Sequence, residues 1–494
     1  MTGLPRLIVT LPARSLAEAH RQRAAAHAAG ADLAEVRFDR WPESERSKAA
    51  GLFPTPLPLV ATLRSSAEGG EGPVDRAQRR GWIDQMRALP FAMIDLELER
   101  DSVEGWPPGG PGVLGSRHFS ERSSVDAIET FLGHAPAGCA LVKAVVPSTV
   151  GRFVRDLLPR YPSWVGVRSI VLTTGPSGPL ARLWAPELGQ PVVFAALPDG
   201  ASTPPVDPAQ IPADQLRRLW AGARPRCLAV VGSPVAHSLS PAIHGVWLAD
   251  EGRAGAFVAI DVTTRTEFEQ MLDLGRAGKW WGWSVTHPWK GLAAAVADEK
   301  TDAVLRTRVA NTLTFRRGQI FADLTDASAL ARRTTELSSE GRWDRREALV
   351  VGTGGAARAA VLALATGGSE VRILGRDGDA VDRVASEVGG VAADERDRHA
   401  VGLVVHGTTV GRGDSGPLEP GLDGWIGPGS TVLDFVYAAR DPQIPSACDR
   451  AGARYEDGRR LLVYQAADAH RIWWGSPPRA AAIRDALGRV GCTA

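Results

Sequence analysis

The chain has 494 residues, of which 44% are hydrophobic and 23% charged, with 57 Lys plus Arg against 56 Asp plus Glu. At roughly 100–250 residues per domain, this length predicts two or three domains, and the ordinary apolar content excludes wholesale disorder. A formal charge of +1 gives no electrostatic basis for a nucleic-acid or acidic-surface partner. Short apolar segments then recur along the first half, at residues 6–11, 32–38, 58–63, 91–96, 113–116, 140–146, 169–173 and 191–197. Between several of them lie helix-like stretches. The first, SLAEAHRQRAAAHAAG, opens on Ser15 with Glu18 three residues on and closes at Gly30, which is the pattern of a capping box and a glycine stop. Eight strand–helix units predict a (β/α)8 TIM barrel, whose chemistry lies at the C-terminal ends of the strands.

Residues 197–226 are rich in proline and break the period, so they are read as the last barrel loop, a closing helix and a linker. The second half restarts with a buried strand in CLAVVGSP, followed by strands in AFVAIDV and WWGWSVT. ALVVGTGGAARAAVLALATGGSEVRIL then reads as strand, glycine turn, helix and strand, and the tail from Tyr464 reads as helix packing back.

Lys143 sits in the apolar strand ALVKAVV. Desolvation disfavours an ammonium, which suits a lysine destined for Schiff-base chemistry. Other strand ends carry ionisable groups: Glu35, Arg37 and Asp39 alternate along EVRFD, Arg64 ends VATLR, Glu68 follows in RSSAEGG, His118 lies in GSRHF and Arg182 follows strand seven. A lone charge is usually a solvated or snorkelling one, but several converging on one barrel rim are not explained by solvation.

These motifs, with G-x-x-G-x-x-x-R from Gly175 to Arg182, resemble type I 3-dehydroquinate dehydratase over the first ~220 residues. The resemblance implies that Lys143 is the Schiff-base lysine, His118 the general acid/base, and Glu68 the acid that orients the histidine. It also implies that Glu35, Arg37, Arg64, Arg182 and Gln210 bind substrate. The chain departs from the family pattern at Phe119, which follows the histidine directly, at Ala181 before the arginine, and in the loop STPPVDPAQ around Gln210.

In the second half, Gly352-x-Gly354-x-x-Ala357 follows a predicted strand and opens a helix, the context in which glycines let a pyrophosphate approach a helix N-terminus. The next strand ends in Gly375-Arg376-Asp377. Arg376 there favours a 2′-phosphate and hence NADP, whereas Asp377 would favour NAD. GSPVAHSLSPAIH, WSVTHPWKG, VANTL and DLTDAS lie upstream, and they resemble shikimate dehydrogenase over residues 227–490. The resemblance implies a catalytic Lys290–Asp326 pair and binding of the shikimate carboxylate by Ser238 and Ser240. Thr286, Asn311 and Gln465 would bind ring hydroxyls, with Tyr437 near the nicotinamide and substrate. Gly352, Gly354, Gly355, Ala356, Arg376 and Thr408 would hold the cofactor. Four family asparagines are replaced, by Ser284, Leu324, Gly375 and His406.

The expected architecture is α/β: a TIM-barrel dehydratase at 1–222, then a shikimate dehydrogenase module at 223–494. The module would consist of a substrate domain at 227–330 with C-terminal helices from about 464, and a Rossmann-like NADP-binding domain at about 331–463. The expected activity is bifunctional, dehydrating 3-dehydroquinate and then reducing 3-dehydroshikimate to shikimate. The alternatives are a dehydratase fused to a quinate- or shikimate-type dehydrogenase of shifted specificity, and a non-catalytic sensor of pathway metabolites. The expected partners are these small molecules, with neither nucleic acid nor membrane, and a homo-oligomer is compatible with them. The longest apolar runs fall far short of the ~18 residues that span a bilayer, and the first residues lack a signal-peptide core, so the expected location is cytoplasmic. Cys139, Cys227, Cys448 and Cys492 form neither a disulfide framework nor a CxxC site, and no metal is expected.

Overall fold

The eight apolar segments of the first half form strands β1 (Arg6–Leu11), β2 (Leu33–Arg37), β3 (Leu59–Thr62), β4 (Met93–Glu97), β5 (Gly112–His118), β6 (Cys139–Pro147), β7 (Ser169–Thr174) and β8 (Val192–Ala195). This is a computed structural model describing residues 4–198, 204–223, 225–394, 396, 398–410, 422–437 and 442–492. The expected loop at 197–226 therefore lies partly outside the described residues, at 199–203 and 224. The strands run in the order β7-β6-β5-β4-β3-β2-β1-β8, a nearly closed parallel barrel. At the β7 edge, the Gln190 carboxamide takes the place of strand backbone, accepting from Val171 N–H at 3.3 Å and donating to Val171 C=O.

The period-2 geometry of strands sorts the barrel interior into layers. Ile8, Leu33, Val60, Met93, Leu114, Ile170 and Val192 belong to one buried apolar cluster. Two residues further along the first five strands stand Thr10, Glu35, Thr62, Asp95 and Ser116, all buried polar groups, and Lys143 is level with Ser116 in the β5–β6 register. A further two residues along come Arg37, Arg64, Glu97 and His118. Apolar packing thus fills the floor of the barrel, and charge is confined to its C-terminal rim.

The first helix, Leu16–Ala28, is capped as expected by Ser15, which accepts from Glu18 N–H at 3.3 Å. The reciprocal half of the capping box is displaced by one residue, since Glu18 accepts from Arg14 N–H instead.

By internal contacts the chain divides into two compact units, Met1–Cys227 with Leu248–Met271, and Leu228–Trp247 with Leu272–Ala494. Strands β9 (Arg226–Gly232), β10 (Gly255–Asp261), β11 (Gly282–Val285), β12 (Glu299–Lys300), β13 (Thr312–Arg316) and β14 (Gln319–Asp323) come next. Those in the second unit lie in the order β9-β11-β13-β14-β12. The β13–β14 hairpin turns through Arg317 and Gly318, at φ 52° and 76°, which is the double left-handed signature of a type I′ turn.

The dinucleotide-type sheet contains β15 (Glu347–Val351), β16 (Glu370–Leu374), β17 (Val391–Ala392), β18 (Leu403–His406), β19 (Thr431–Asp434) and β20 (Arg454–Glu456), in the order β17-β16-β15-β18-β19-β20. All its pairings are parallel. This is the doubly wound order 3-2-1-4-5-6, with the strand order reversing beside β15.

The tail forms helices Arg459–Trp474 and Ala480–Arg489, the first starting five residues before the predicted Tyr464. Tryptophans tie them in: Trp473 donates to Leu313 C=O at 3.0 Å, and Trp247 to Ala482 C=O at 3.1 Å. A Cβ on Gly282 would sit 2.2 Å from Trp473 Nε1, so that close approach requires glycine.

Candidate active sites

Lys143 lies in mid-β6 and is 3% exposed. Its Nζ donates to Asp95 Oδ2 at 2.6 Å and stands 4.4 Å over the Phe194 ring. Its strand neighbours are apolar and buried, as the sequence reads, and β4 adds a carboxylate against the amine. Asp95 also accepts from Arg64 Nη2 at 2.8 Å and from Ser116 at 2.5 Å. Burial alone would raise the Asp95 carboxyl, but the Arg64 and Lys143 cations hold it well below the usual carboxylate range.

Arg64 donates further to Glu68 at 3.0 Å and Glu97 at 3.2 Å. Arg100 meets Glu68 at 3.2 Å, and Arg79 meets Asp101 at 2.6 Å. The cations Arg64, Arg79, Arg100 and Lys143 thus face the carboxylates Glu68, Asp95, Glu97 and Asp101. Buried charge is sustainable only when it is paired and hydrogen-bonded throughout in this way.

His118 ends β5, and its Nε2 is buried without a hydrogen-bond partner among the described residues. Burial, followed by the Arg64 and Lys143 charges, pushes its pKa well below the ordinary histidine value, leaving a neutral imidazole. Glu68 was expected to orient this ring, but its carboxylate instead accepts the main-chain N–H of His118 at 3.0 Å. It therefore anchors the strand end that carries the ring. Burial raises the Glu68 carboxyl to about 7, opposed by Arg64 and reinforced by Glu97.

Glu35 accepts from Thr10 and Thr62, each at 2.8 Å, and Gln210 donates to the same Thr10 hydroxyl at 3.0 Å. Gln210 thus reaches the barrel rim despite its divergent loop. Arg37 and Asp39, expected on one strand face, form a two-pronged pair at 2.8 Å, with Asp39 already beyond β2 in a 3-10 turn. Arg182 is buried; it donates to the carbonyls of Phe194, Thr173 and Gly178 and to Asp207 at 2.9 Å.

In the second unit, Ser238, Ser240, Thr286, Lys290, Asn311, Asp326, Tyr437 and Gln465 line one cavity of about 460 Å³, together with Gly352, Gly354, Gly355, Ala356, Arg376 and Thr408. Lys290, the first residue of helix Lys290–Val296, donates to Asp326 Oδ2 at 2.5 Å. Asn311 accepts from Thr325 N–H at 2.7 Å, so it holds the start of the helix that carries Asp326 while facing the cavity. Ser284, where the family has asparagine, leaves its buried hydroxyl without a partner among the described residues.

The glycine turn fits a dinucleotide. Gly352 has φ 108°, and a Cβ there would meet Thr408 Cγ2 at 2.8 Å. Around Gly354 the space is open to 4 Å, and a Cβ on Gly355 would sit 2.9 Å from Lys290 Cδ. Helix Gly355–Thr366 follows, so its free N–H groups and positive dipole end face the cavity. Asp377 caps the helix Gly378–Val388, accepting from Ala380 N–H at 3.1 Å.

Sequence reasoning missed Asp95 and Glu97, although MIDLELE carries the same signal as the Lys143 strand, namely ionisable residues alternating within an apolar run. Asp207 and Asp434 had no such signal. No group of three or more His, Cys, Asp or Glu side chains arranged to hold a metal occurs among the described residues, and none of their helices is long and apolar enough to cross a membrane.

A lysine-bearing parallel barrel and a dinucleotide-type cavity with a Lys–Asp pair are the two candidate active sites of an enzyme. The first half matches the family described as type I 3-dehydroquinase over residues 7–221, and residues 230–313 match the shikimate dehydrogenase substrate binding domain. The NADP(+) shikimate dehydrogenase of Cereibacter sphaeroides is 34% identical over 258 residues, covering 50% of this chain and 91% of that protein. The chain belongs to the shikimate dehydrogenase family and carries a type I dehydroquinase domain ahead of it. It is a bifunctional enzyme, a lyase followed by an oxidoreductase.

Among solved structures, the Thermus thermophilus shikimate 5-dehydrogenase complex with NADP(H) and shikimate is 30% identical, with a TM-score of 0.47, and covers 54% of this chain and 99% of that one. The dehydroquinate dehydratase and shikimate dehydrogenase from S. pombe AroM is 20% identical, with a TM-score of 0.43, and covers 98% and 99%.

Proposed function

We propose that the barrel dehydrates 3-dehydroquinate to 3-dehydroshikimate and that the second unit reduces this product to shikimate with NADPH. The observation that carries the reading is that each half brings a lysine and a proton-handling group from distant positions into one site, Lys143 with His118 and Lys290 with Asp326. A metabolite sensor has no need of either pair.

In the first site Lys143, once deprotonated, attacks the substrate C3 carbonyl and water leaves to form an iminium. The neutral His118 removes the C2 proton, and the electron pair moves into the iminium to give an enamine. The enamine then expels the C1 hydroxyl, to which His118 returns the proton. Hydrolysis of the new iminium frees Lys143, and the balance is loss of one water. Positioned acid/base catalysis of this kind is worth roughly 10²–10⁴-fold. Asp95 holds the lysine in place, Glu68 anchors the strand end beneath His118, and Arg182 and the Glu35–Gln210 group bind the substrate's polar substituents.

In the second site NADPH, when held by the glycine turn, would supply the hydride. Lys290 polarises the ketone oxygen and delivers a proton to it, and Asp326 keeps that lysine charged and aimed. Ser238 and Ser240 bind the substrate carboxylate, and Thr286, Asn311 and Gln465 its hydroxyls. The preference for NADP rests on Arg376 at the end of β16, a cation where a 2′-phosphate would be met. A domain boundary near 222, a metal-free site and a cytoplasmic location belong to the same reading.

The deciding experiment supplies 3-dehydroquinate and NADPH together and follows cofactor oxidation with product identity. Shikimate formation is expected. If NADPH is oxidised but the product is quinate, formed by direct reduction of 3-dehydroquinate, the second half belongs to the shifted-specificity class instead.

A further inference from the structure

His406 pairs in register with Asp434 at the C-terminal ends of β18 and β19. His406 is fully buried. Its Nδ1 lies 2.8 Å from Asp434 Oδ1, and its Nε2 lies 2.7 Å from the Thr408 hydroxyl. Asp434 Oδ1 also accepts from Val436 N–H at 2.9 Å, and Oδ2 accepts from Tyr455 OH at 3.1 Å. A carboxylate surrounded by donors is an acceptor, so in the neutral ring the proton sits on Nδ1, facing Asp434, and Nε2 keeps its lone pair. The Thr408 hydroxyl must then direct its one proton at Nε2. Thr408 also accepts Val410 N–H at 3.1 Å, which leaves one lone pair free, and Thr408 lines the cavity.

We propose that His406 and Asp434 lock the polarity of Thr408, so that it offers the cavity an acceptor only and selects a hydrogen-bond donor on the ligand. The chain path says which half of the ligand this is. In a doubly wound sheet of this order a bound dinucleotide would set its pyrophosphate over the β15 turn and its adenosine ribose at the end of β16, which leaves the opposite mononucleotide half to β18. The donor is therefore a hydroxyl of the nicotinamide ribose or the N–H of the carboxamide. The inference rests on the dinucleotide reading of this cavity. It assigns His406 as a positioning residue, and Thr408 as the residue that touches the ligand.

The test is direct binding of NADP+ and of its acetylpyridine analogue, which lacks the amide N–H, to the full chain by calorimetry. Thr408→Val keeps shape and removes the acceptor, and it should weaken NADP+ binding about five- to tenfold. If the amide is the donor, the wild type binds the analogue correspondingly more weakly and Thr408→Val erases the difference. If a ribose hydroxyl is the donor, both ligands weaken equally. His406→Phe should weaken binding to the same degree, and the double variant with Thr408→Val no further, because both act through one contact. His406→Gln, which can accept and donate in the same two directions, should restore binding, and it serves as the second test if the phenylalanine variant does not fold. NADP+ binding that Thr408→Val leaves unchanged, or losses that add in the double variant, overturns the lock alone. A wild type that binds no NADP+ overturns the dinucleotide reading with it.

Discussion

Arg182 donates to Asp207 at 2.9 Å, and its remaining bonds all go to main-chain carbonyls. A carboxylate of the chain itself therefore occupies the guanidinium proposed to bind the substrate. The loop bearing Asp207 also carries Gln210, which reaches Thr10, so loop and rim are joined at two points. A substrate that binds Arg182 has to displace Asp207 from it. Asp207→Asn is predicted to lower KM for 3-dehydroquinate about threefold to tenfold with kcat near wild type, consistent with a charge-assisted bond being worth more than a neutral one. Steady-state dehydratase kinetics check this, and a rise in KM would show that Asp207 supports Arg182 instead of competing for it.

Lys143→Ala is predicted to abolish the adduct trapped by borohydride with 3-dehydroquinate and to reduce dehydratase turnover by at least about 10³-fold. Its reductase rate on supplied 3-dehydroshikimate should stay at wild type, since the Lys290 cavity lies within the other unit. Intact-mass spectrometry and the two separate assays decide it. An adduct that survives in the variant would remove the Schiff-base assignment.

Lys290→Ala is the reciprocal case. The 2.5 Å Lys290–Asp326 contact predicts a fall in reductase kcat of roughly 10²–10⁴-fold with dehydration untouched. Asp326→Asn should give a smaller loss, because it removes the counter-charge and keeps the ammonium. Equal loss of both activities in either variant would contradict separate sites.

Glu68 gives the chain a pH dependence of stability. Its carboxyl is raised from the ordinary 4.5 to about 7 by burial, with Glu97 adding and Arg64 opposing. Between those values the folded chain binds more protons than the unfolded one, so this group's contribution is fully present below about 4.5 and is lost as pH rises through about 7. The loss is at most about 3 kcal/mol. Glu68→Gln imitates the protonated form, so its melting temperature relative to wild type should rise between pH 5 and pH 8. A difference that stays flat over that range would mean that Glu68 titrates normally.

Much of this was legible in the sequence because it depends on local rules. Recurring short apolar segments announced the barrel strands, the glycine run followed by a helix announced the dinucleotide turn, Lys143 stood out as a lysine inside an apolar strand and His118 as an ionisable group at a strand end, and the Lys290–Asp326 pair came from the resemblance to shikimate dehydrogenase. The small strands β12, β17 and β20 were not visible, because two or three residues carry no readable period. Their pairing comes from neighbours far along the chain.

What only the tertiary structure decided is which charges meet. Asp95 is 48 positions from Lys143, Asp207 is 25 from Arg182, and Asp434 is 28 from His406. A sequence fixes how often a side chain returns to one face of a strand, and so says that a charge is turned inward. Whether that charge finds a carboxylate, a carbonyl or an empty cavity depends on register between strands, and electrostatic energy depends on that distance and on the exclusion of water around it.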